Sequence, residues 1–322
     1  LTAILLMLKR KGTDFCSLDE LAETTQTTPE SVADDLSFLQ EQHYNIETRP
    51  SLGVRLIDMP DVVYPHEVLS EIKDSRWLNG SLDILYSPEI ASTNEAAKQL
   101  ARQDAPDGTV VVTDYQTKGK GRQGRQWVSP PGTNLLFSIV LRPAIVARRL
   151  PFLTVMSSTA VAAALRDEFG LAVGLKWPND LVLDGKKLGG ILTEGEGLEG
   201  NVHFAVIGIG LNVNCQTESL PREIAINATS LRDALGYPVH RAHVLAVVLA
   251  RLKRFYEELL FGSSEVILDM CKQLSDTIGK FVQISSSTSG YAEDIDQEGA
   301  LVLRLENGMR KRVWVGDLTQ LF

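Results

Sequence analysis

A chain of 322 residues with 44% hydrophobic and 23% charged residues is long enough for two or three domains with sizeable cores. Its formal net charge of −9 argues against wholesale binding to nucleic acid or to a membrane surface, although it permits a local basic patch. The cysteines Cys16, Cys215 and Cys271 lie far apart without a C-x-x-C pair, which favours a reducing compartment and argues against a disulfide framework or a zinc knuckle.

The apolar run Leu1–Leu8 is followed by basic residues at positions 9–11. A secretory signal places its charges before the apolar run, and this run is also too short to cross a bilayer. We interpret it as the first helix of a small domain. With no other stretch that approaches a membrane span, we expect a cytoplasmic protein without a membrane partner.

Residues 1–60 predict a compact helical unit followed by two short strands. Ser17 and Thr28 are suited to cap its second and third helices, and apolar residues recur at helical spacing along the first and third. The predicted elements are a first helix around Leu1–Leu8, helices over Ser17–Glu23 and Pro29–Gln42, and strands over Asn45–Thr48 and Val54–Ile57. Three helices followed by a hairpin form the outline of a winged helix-turn-helix.

The charge of this unit conflicts with DNA binding. Residues 1–60 hold 5 Lys or Arg against 10 Asp or Glu, and the helix Pro29–Gln42 has no cation at all. Phosphate contacts made by cationic side chains supply much of the affinity for DNA. The basic residues Arg49 and Arg55 of the hairpin are available to help, so two interpretations stay open: a DNA-binding module, or a structural or protein-interaction module of the same shape.

Asp58–Glu67 contains two prolines and few residues suited to packing, which indicates a linker. From about Leu82 the pattern becomes that of an α+β domain. Strands are expected at Leu82–Tyr86, Thr109–Thr113, Asn134–Leu141, Val173–Lys176, Leu181–Leu183, Leu188–Thr193 and Val202–Val213. Helices are expected at Glu95–Gln103, Leu150–Phe169, Thr229–Leu235, Arg241–Leu260 and Ser264–Leu274.

Beyond about Thr277, short stretches alternate polar and apolar residues between turns, which predicts a small antiparallel barrel. Its strands are expected at Phe281–Ser285, Gly290–Ile295, Ala300–Leu305 and Arg312–Val315. The chain is therefore divided into a helical domain at 1–60, a linker with a connecting helix at 61–81, a central domain at 82–275 and a barrel at 276–322.

The segment Lys118–Trp127 alternates positive charges with glycines inside an otherwise acidic chain. Its cations are Lys118, Lys120, Arg122 and Arg125, and its glycines are Gly119, Gly121 and Gly124. Because glycine lets the backbone approach a ligand closely, the pattern favours a site for a carboxylate or a phosphate. A solvated surface loop with incidental charge is the alternative.

The same glycines spell G-x-G-x-x-G after a predicted strand, as in a dinucleotide-binding turn. That turn opens a helix and needs an acidic residue about 20 positions later. Here the prolines Pro130 and Pro131 follow the loop, and no acid lies near position 145. The dinucleotide interpretation therefore fails, and the chain also lacks a GxxxxGK[ST] phosphate loop.

Three further polar motifs are candidates for ligand contact, each with a local alternative. Ser92-Thr-Asn94 precedes a helix, where such residues cap the N-terminus or hold a polar ligand. In Lys176-Trp-Pro-Asn-Asp180, the Asn–Asp pair suits Mg²⁺ beside phosphates or forms a type I turn, and the nearby Lys187 is suited to face a carboxylate or an α-phosphate. Asn212 interrupts the apolar run Gly208–Asn214, so its carboxamide needs either a ligand or neighbouring backbone as a partner.

The order and spacing of these motifs make residues 82–322 resemble the biotin–protein ligases, and residues 1–60 add the layout of those ligases that also repress biotin genes. The matching segments are Ser92-Thr-Asn94, Gln116 with Gly119–Arg125, Lys176–Asp180 with Lys187-Leu-Gly-Gly190, Gly208–Asn214 and Trp314-Val-Gly-Asp317. The resemblance implies an α+β fold with an N-terminal winged helix-turn-helix, a central mixed-sheet catalytic domain of the class II synthetase type and a small C-terminal SH3-like β-barrel.

The resemblance also implies the chemistry: ATP activates biotin as biotinyl-5′-AMP, and the acyl group then passes to a lysine of a biotin carboxyl carrier protein. Carried onto this chain, the ligand-binding residues are Ser92, Thr93, Asn94, Gln116, Gly119, Lys120, Gly121, Arg122, Lys187 and Asn212. Arg122 and Lys187 are expected to neutralise the reacting carboxylate and phosphate, while Asp180 is expected to be catalytic on the nucleotide side and to hold Mg²⁺.

Two implied partners are a second copy of the chain, in a homodimer formed through the central sheet, and operator DNA bound by residues 1–60. The chain departs from the family pattern at Lys120, where the loop motif GRGRxGR has its first arginine. Lysine keeps the charge of that arginine and loses its planar, two-pronged donor. The acidic helix Pro29–Gln42 is the second departure, and it bears on operator binding alone.

Overall fold

The computed structural model describes residues 1–72, 74, 76–78, 80–285, 288–314 and 319–321. The chain forms two compact units, one of residues 1–75 with 240–246 and the other of residues 76–239 with 247–322. Among the described helices, none has the length and apolar character that crossing a membrane requires.

The first unit is built on the predicted helices and hairpin. Its elements are α1 (Thr2–Lys11), α2 (Leu18–Thr25), α3 (Pro29–Glu41), β1 (Asn45–Arg49), β2 (Gly53–Asp58) and α4 (Pro65–Glu71). Ser17 and Thr28 accept capping hydrogen bonds from Glu20 N and Ser31 N, as the sequence predicts. The apolar stripes of α1 and α3 are buried in one core with β1 and β2, which pair antiparallel.

The first residue of β2 has to be a glycine. Gly53 has a φ of +100°, and a Cβ at this position would lie 2.0 Å from the carbonyl oxygen of Cys16. Cys16 and Val54 exchange two backbone hydrogen bonds beside it, so the two segments cannot separate without losing both. Close backbone approach and positive φ therefore coincide at one residue.

Replacing Gly53 by alanine is expected to destabilise this unit by about 2–4 kcal/mol, because a left-handed conformation and a backbone clash add together. Gly12→Ala is the matched control, since Gly12 also has a positive φ of 58° and an added Cβ there would have nothing within 4 Å. Denaturant unfolding of the full chain measures both variants. Equal losses of stability in the two variants would contradict the close approach.

The predicted linker Asp58–Glu67 contains a buried residue and the start of a helix. Val63 is fully buried, and α4 begins inside the segment at Pro65. Asp61 accepts hydrogen bonds from the backbone N (2.8 Å) and Nε (3.0 Å) of Arg241, a residue with only 1% of its side chain exposed. The arginine lies 180 residues further along the chain, so the local sequence around Asp61 does not predict this contact.

The second unit contains a seven-stranded mixed sheet, in agreement with the predicted α+β class. Its strands are β5 (Ile84–Ile90), β6 (Val110–Gln116), β7 (Leu135–Leu141), β8 (Gly174–Lys176), β9 (Asp180–Leu183), β10 (Lys186–Leu198) and β11 (Asn201–Leu211), with β3 (Arg76–Trp77) and β4 (Gly80–Ser81) as a separate pair. The sheet order is β5-β6-β7-β11-β10-β9-β8, with β5 and β6 parallel and the other neighbours antiparallel. Strand β10 runs five residues beyond its predicted end at Thr193, because the polar segment Glu194–Leu198 pairs with the start of β11.

Helices cover this sheet and supply its core. They are α5 (Thr93–Arg102), α6 (Leu150–Phe169), α7 (Arg222–Ala225), α8 (Leu231–Leu235), α9 (Arg241–Phe261) and α10 (Ser264–Leu274), of which α9 has its first residues in the other unit. Helix α5 packs on β6, β7 and β11, while α6 packs on β10 and β11. Strand β7 is buried along its whole length, so its one polar residue, Ser138, faces other protein groups.

The C-terminal segment forms a five-stranded antiparallel sheet in the order β15-β14-β13-β12-β16. The strands are β12 (Phe281–Ser285), β13 (Thr288–Ile295), β14 (Leu301–Arg304), β15 (Arg310–Val313) and β16 (Thr319–Leu321). Strand β15 corresponds to the predicted strand Arg312–Val315, but it begins and ends two residues earlier. Of the motif Trp314-Val-Gly-Asp317, the three residues after Trp314 lie outside the described residues.

Candidate active site

The predicted motifs meet around one cavity of about 370 Å³ in the second unit. Its lining residues come from the N-terminus of α5, the end of β6, the Lys118–Trp127 loop, the turn between β8 and β9, and strands β10 and β11. The predicted site residues that line it are Ser92, Thr93, Asn94, Gln116, Lys120, Gly121, Arg122, Asp180 and Lys187. Gly119 and Asn212 are the two predicted residues that do not.

Charge in the cavity is opposite in sign to the charge of the chain. Its cationic lining residues are Lys120, Arg122, Arg125, Lys176 and Lys187, and Asp180 is the only carboxylate among the described lining residues. A concave site lined by one sign of charge concentrates ligands of the other sign. The charge of the lining therefore suits an anionic ligand, the kind that the Gly/Lys/Arg loop predicts.

One end of the cavity is polar and uncharged. Ser92 occupies the N-cap position of α5, but its side chain makes no capping bond. Gln116, at the end of β6, accepts from Thr93 N at 2.7 Å through its Oε1, so a distant amide satisfies the helix N-terminus. The Ser92 side chain is thus on the cavity wall without the capping role that its position suggested.

Asn94 forms the floor at this end, and Gly208 makes room for it. The Asn94 Oδ1 lies 2.6 Å from Ser138 Oγ, and its Nδ2 donates to Glu194 Oε2 at 2.8 Å. A Cβ added to Gly208 would lie 1.9 Å from Asn94 Oδ1. The first glycine of the Gly208–Asn214 run is therefore explained by close packing of a side chain from another motif.

The Gly/Lys/Arg loop closes on itself as a narrow hairpin. Lys120 and Gln126 form an antiparallel bridge, and Trp127 N donates to Gly119 O at 3.0 Å. The turn at its tip, Arg122–Gly124, is a short 3₁₀ segment that no α-helix follows, in agreement with the exclusion of a dinucleotide turn. Gly119 lies at the base, where a Cβ would approach Trp127 O within 2.7 Å, so its role is in the shape of the loop.

Trp127 also lines the cavity, although the sequence motifs do not predict it as a site residue. Its ring lies against Gly210, whose added Cβ would come within 2.6 Å of it, and Lys187 Nζ lies 5.8 Å from the ring centroid. Its indole N–H is buried without a hydrogen-bond partner among the residues that the structure describes. Two features of the sequence are consistent with this position of Trp127: it is an aromatic residue at the end of the Gly/Lys/Arg loop, and Gly210, the second glycine of the Gly208–Asn214 run, leaves room for its ring.

The Lys176–Asp180 motif is both a turn and part of the cavity wall. It connects β8 to β9 through a cis Trp177–Pro178 peptide bond, and Asn179 bonds to distant residues where the type I turn alternative expected local hydrogen bonds: its Oδ1 accepts from Arg122 Nη1 at 2.9 Å. Asp180 accepts from Lys187 Nζ at 2.7 Å through its Oδ1. The two residues expected to neutralise anions, Arg122 and Lys187, are therefore each held by one residue of this motif.

Asn212 follows the last residue of β11 and is satisfied by protein groups. Its Nδ2 donates to the backbone oxygens of Thr229 (3.0 Å) and Lys187 (3.5 Å), and its Oδ1 accepts from Asn134 Nδ2 at 3.3 Å. This is the alternative in which neighbouring backbone satisfies the carboxamide. Asn212 is connected to the cavity indirectly, through its hydrogen bond to the backbone oxygen of Lys187, which lines the cavity.

A family model described as the biotin/lipoate A/B protein ligase family matches residues 86–212. Over 308 residues the chain is 32% identical to the bifunctional ligase/repressor BirA of Bacillus spizizenii, covering 95% of this chain and 94% of that protein. It is also 32% identical over 226 residues to the biotin–[acetyl-CoA-carboxylase] ligase of Paracoccus denitrificans, covering 66% and 90% of the two chains. Among solved structures, a biotin protein ligase from Aquifex aeolicus in complex with biotin and ATP aligns with a TM-score of 0.63 at 28% identity, covering 74% of this chain and 98% of that one.

Proposed function

We propose, since this chain belongs to the biotin–protein ligase family, that it activates biotin with ATP and transfers it to a lysine of a biotin carboxyl carrier protein. The similar proteins from Bacillus spizizenii and Paracoccus denitrificans are ligases, and the similar Aquifex structure holds biotin and ATP. The observation in this chain that supports it best is a cavity with a neutral polar end and a strongly cationic remainder. Biotin has the same division, with a neutral ureido ring at one end and a carboxylate at the other.

In the first step a biotin carboxylate oxygen attacks the α-phosphorus of ATP, the bond to the β-phosphate breaks and pyrophosphate leaves. Two anions must approach each other, and the repulsion between them is the part of the barrier that a protein can lower with fixed cations. We assign this role to Arg122 and Lys187, because both line the cavity and each is oriented by a hydrogen bond to the β8–β9 turn. Ser92, Thr93, Asn94 and Gln116 would hold the ureido ring.

Asp180 is the proposed protein ligand for the Mg²⁺ that accompanies ATP. Magnesium commonly uses one or two carboxylates together with substrate phosphates and water, so one carboxylate in a phosphate site fits this ion. Asn179 fits less well, because Arg122 already donates to its one side-chain oxygen, whereas Asp180 has Oδ2 in addition to the Oδ1 that accepts from Lys187. The ion would supply positive charge to the polyphosphate.

In the second step the lysine amine of the carrier attacks the acyl carbon of biotinyl-5′-AMP, and AMP leaves. Water would hydrolyse the same mixed anhydride, so the intermediate has to be covered until the carrier arrives. The loop Lys118–Trp127 is suited to this, since Lys120, Gly121, Arg122, Arg125, Gln126 and Trp127 all line the cavity.

A direct assay tests the proposed function. The chain is incubated with ATP, Mg²⁺, biotin and a biotin carboxyl carrier domain, and the carrier is probed with streptavidin. We expect label on the carrier that disappears when ATP is omitted or when the target lysine is replaced by arginine. An unlabelled carrier, beside an active reference ligase, would refute the proposal.

A second proposed function is repression of biotin genes, with biotinyl-AMP as the corepressor. It is supported by the match to the bifunctional ligase/repressor over 95% of the chain and by the three helices and hairpin of the first unit, which we assign to a winged helix-turn-helix. The charges oppose it: Glu30, Asp34 and Glu41 are exposed on α3.

The two hairpin arginines are also engaged. Arg49 and Arg55 each donate through Nε to Glu47, at 2.8 and 2.7 Å, and both guanidinium groups lie within 5.0 Å of the centre of the Phe15 ring. A salt-titrated gel shift on a palindromic site upstream of biotin genes, with biotin and ATP present, decides the matter. We expect a shift at low salt that weakens steeply as salt rises, and no shift at low salt would exclude a repressor.

The remaining organisation is proposed from the same family relationship. We infer a winged helix-turn-helix domain at 1–60, a linker with a connecting helix at 61–81, a class II synthetase-like catalytic domain at 82–275 and an SH3-like barrel at 276–322. We also infer a homodimer formed through the central sheet. Sedimentation with and without biotin and ATP tests the dimer, and a monomer at every concentration under both conditions would rule it out.

A further inference from the structure

Lys120 of the cavity loop is bound to a carboxylate that does not line the cavity. Its Nζ lies 2.5 Å from Oε1 of Glu95, a residue in the first turn of α5, and Lys98 Nζ lies 2.8 Å from the same oxygen. Lys98 in turn pairs with Glu194 Oε1 at 2.8 Å. A row of alternating charges therefore runs from the loop along α5 to β10.

The same row ends at the cavity floor. Glu194 accepts from Lys98 with one oxygen and from Asn94 Nδ2 with the other, at 2.8 Å. Asn94 and Lys120 both line the cavity, so the row connects the N-terminus of α5 with the loop Lys118–Trp127. The pairing to both Lys120 and Lys98 lowers the pKa of the Glu95 carboxyl to about 2, so this group is ionised at every pH at which the protein would work.

We infer that Glu95 is a positioning residue for the loop: by holding Lys120 against α5 it keeps the loop over the cavity and prolongs retention of the acyl-adenylate. Only the statement on acyl-adenylate retention rests on the proposed function, because the contact between Glu95 and Lys120 is made by protein groups alone. The stem of a lysine is flexible, so the position of its ammonium group depends on the partner that binds it. For Lys120 that partner is the Glu95 carboxylate.

The first experiment needs no ligand. Trypsin cuts after lysine and arginine, so the early fragments of the full chain report how often the loop 118–125 opens. Glu95→Gln should accelerate cleavage within this loop about two- to fivefold, the range expected for loss of a partly exposed ion pair. Glu89→Gln is the matched control, because it removes an exposed carboxylate on β5 that is outside this row.

The second experiment measures retention. Purified chain is loaded with labelled biotin and ATP, separated from free ligand, and the bound adenylate is followed with time. We expect Glu95→Gln to lose adenylate about two- to fivefold faster than wild type while forming it at a rate within about twofold of wild type. Salt should speed release from wild type and change the variant less, because salt screens the pair that the variant lacks.

The outcomes separate the two proposals. A wild-type chain that forms no adenylate refutes the proposed function, while the trypsin result still decides whether Glu95 holds the loop. An adenylate that forms normally but leaves wild type, Glu95→Gln and Glu89→Gln at the same rate overturns the inference alone. A Glu95→Gln variant in which every tryptic site is cut faster also overturns it, since the pair then serves general stability.

Discussion

Replacing Lys187 by alanine is expected to lower the rate of biotinyl-adenylate formation about 10²–10³-fold, the range seen when one preorganised donor is removed from a reacting anion. Lys187 is placed for this role because it lines the cavity and is held by Asp180 at 2.7 Å. The measurement is pyrophosphate release with saturating ATP and biotin. Biotin binding should weaken far less than the rate of the chemical step, because charge repulsion is greatest in the transition state.

The matched control is Lys186→Ala, which removes the same charge from an exposed neighbour on β10. This variant should keep its rate within about twofold of wild type, as for a surface substitution away from the site. If both variants lose activity equally, the effect is one of overall charge, and Lys187 has no special place in the reaction.

Replacing Gly208 by alanine should weaken biotin binding by about thirtyfold, or roughly 2 kcal/mol, the cost of overpacking a filled site. The added Cβ would lie 1.9 Å from Asn94 Oδ1, and Asn94 cannot move without breaking its contacts with Ser138 and Glu194. Calorimetric titration with biotin measures the change. The control is Gly80→Ala, where the nearest heavy atom would be 4.0 Å away.

A double mutant identifies the cause. With Asn94→Ala present, the methyl group at position 208 has room, so the two substitutions together should cost much less than the sum of their separate effects. Strict additivity would show that Gly208 matters for a reason other than Asn94, such as flexibility of β11.

Much of the architecture follows from local pattern. The stripes of α1 and α3, the caps at Ser17 and Thr28 and the long apolar helix α6 need only periodicity and N-cap chemistry, and the structure confirms them. The loop is similar, because cations between glycines imply an anion whatever the fold. The apolar pattern predicts too short a β10, because the polar second half of this strand is stabilised by pairing with β11 and hydrophobicity does not show that pairing.

The parts that could not be predicted depend on contacts between distant segments. Gln116 serves the N-terminus of α5 because the parallel pairing of β5 with β6 brings it there. Trp127 lies against Gly210 because the loop returns to its own base. The place of Asn212 in an apolar run leaves open whether a ligand or neighbouring backbone satisfies it, and only the family resemblance assigns it to the ligand; in the structure three protein groups bond to its carboxamide. A buried polar residue signals that a partner exists and does not say whether that partner is a ligand.

The burial of Arg241 limits what a truncated protein can reveal. Its guanidinium is almost completely enclosed and is bound by Asp61, although the two residues are encoded far apart. A shortened chain that starts after position 75 would retain this cation and lose its carboxylate, and a buried charge without its partner is strongly destabilising. Reduced ligation by such a chain would therefore reflect the buried charge of Arg241 without Asp61 as much as the loss of the N-terminal helices. Point substitutions on the exposed face of α3 can test the proposed gene regulation separately from catalysis, because they leave that carboxylate in place.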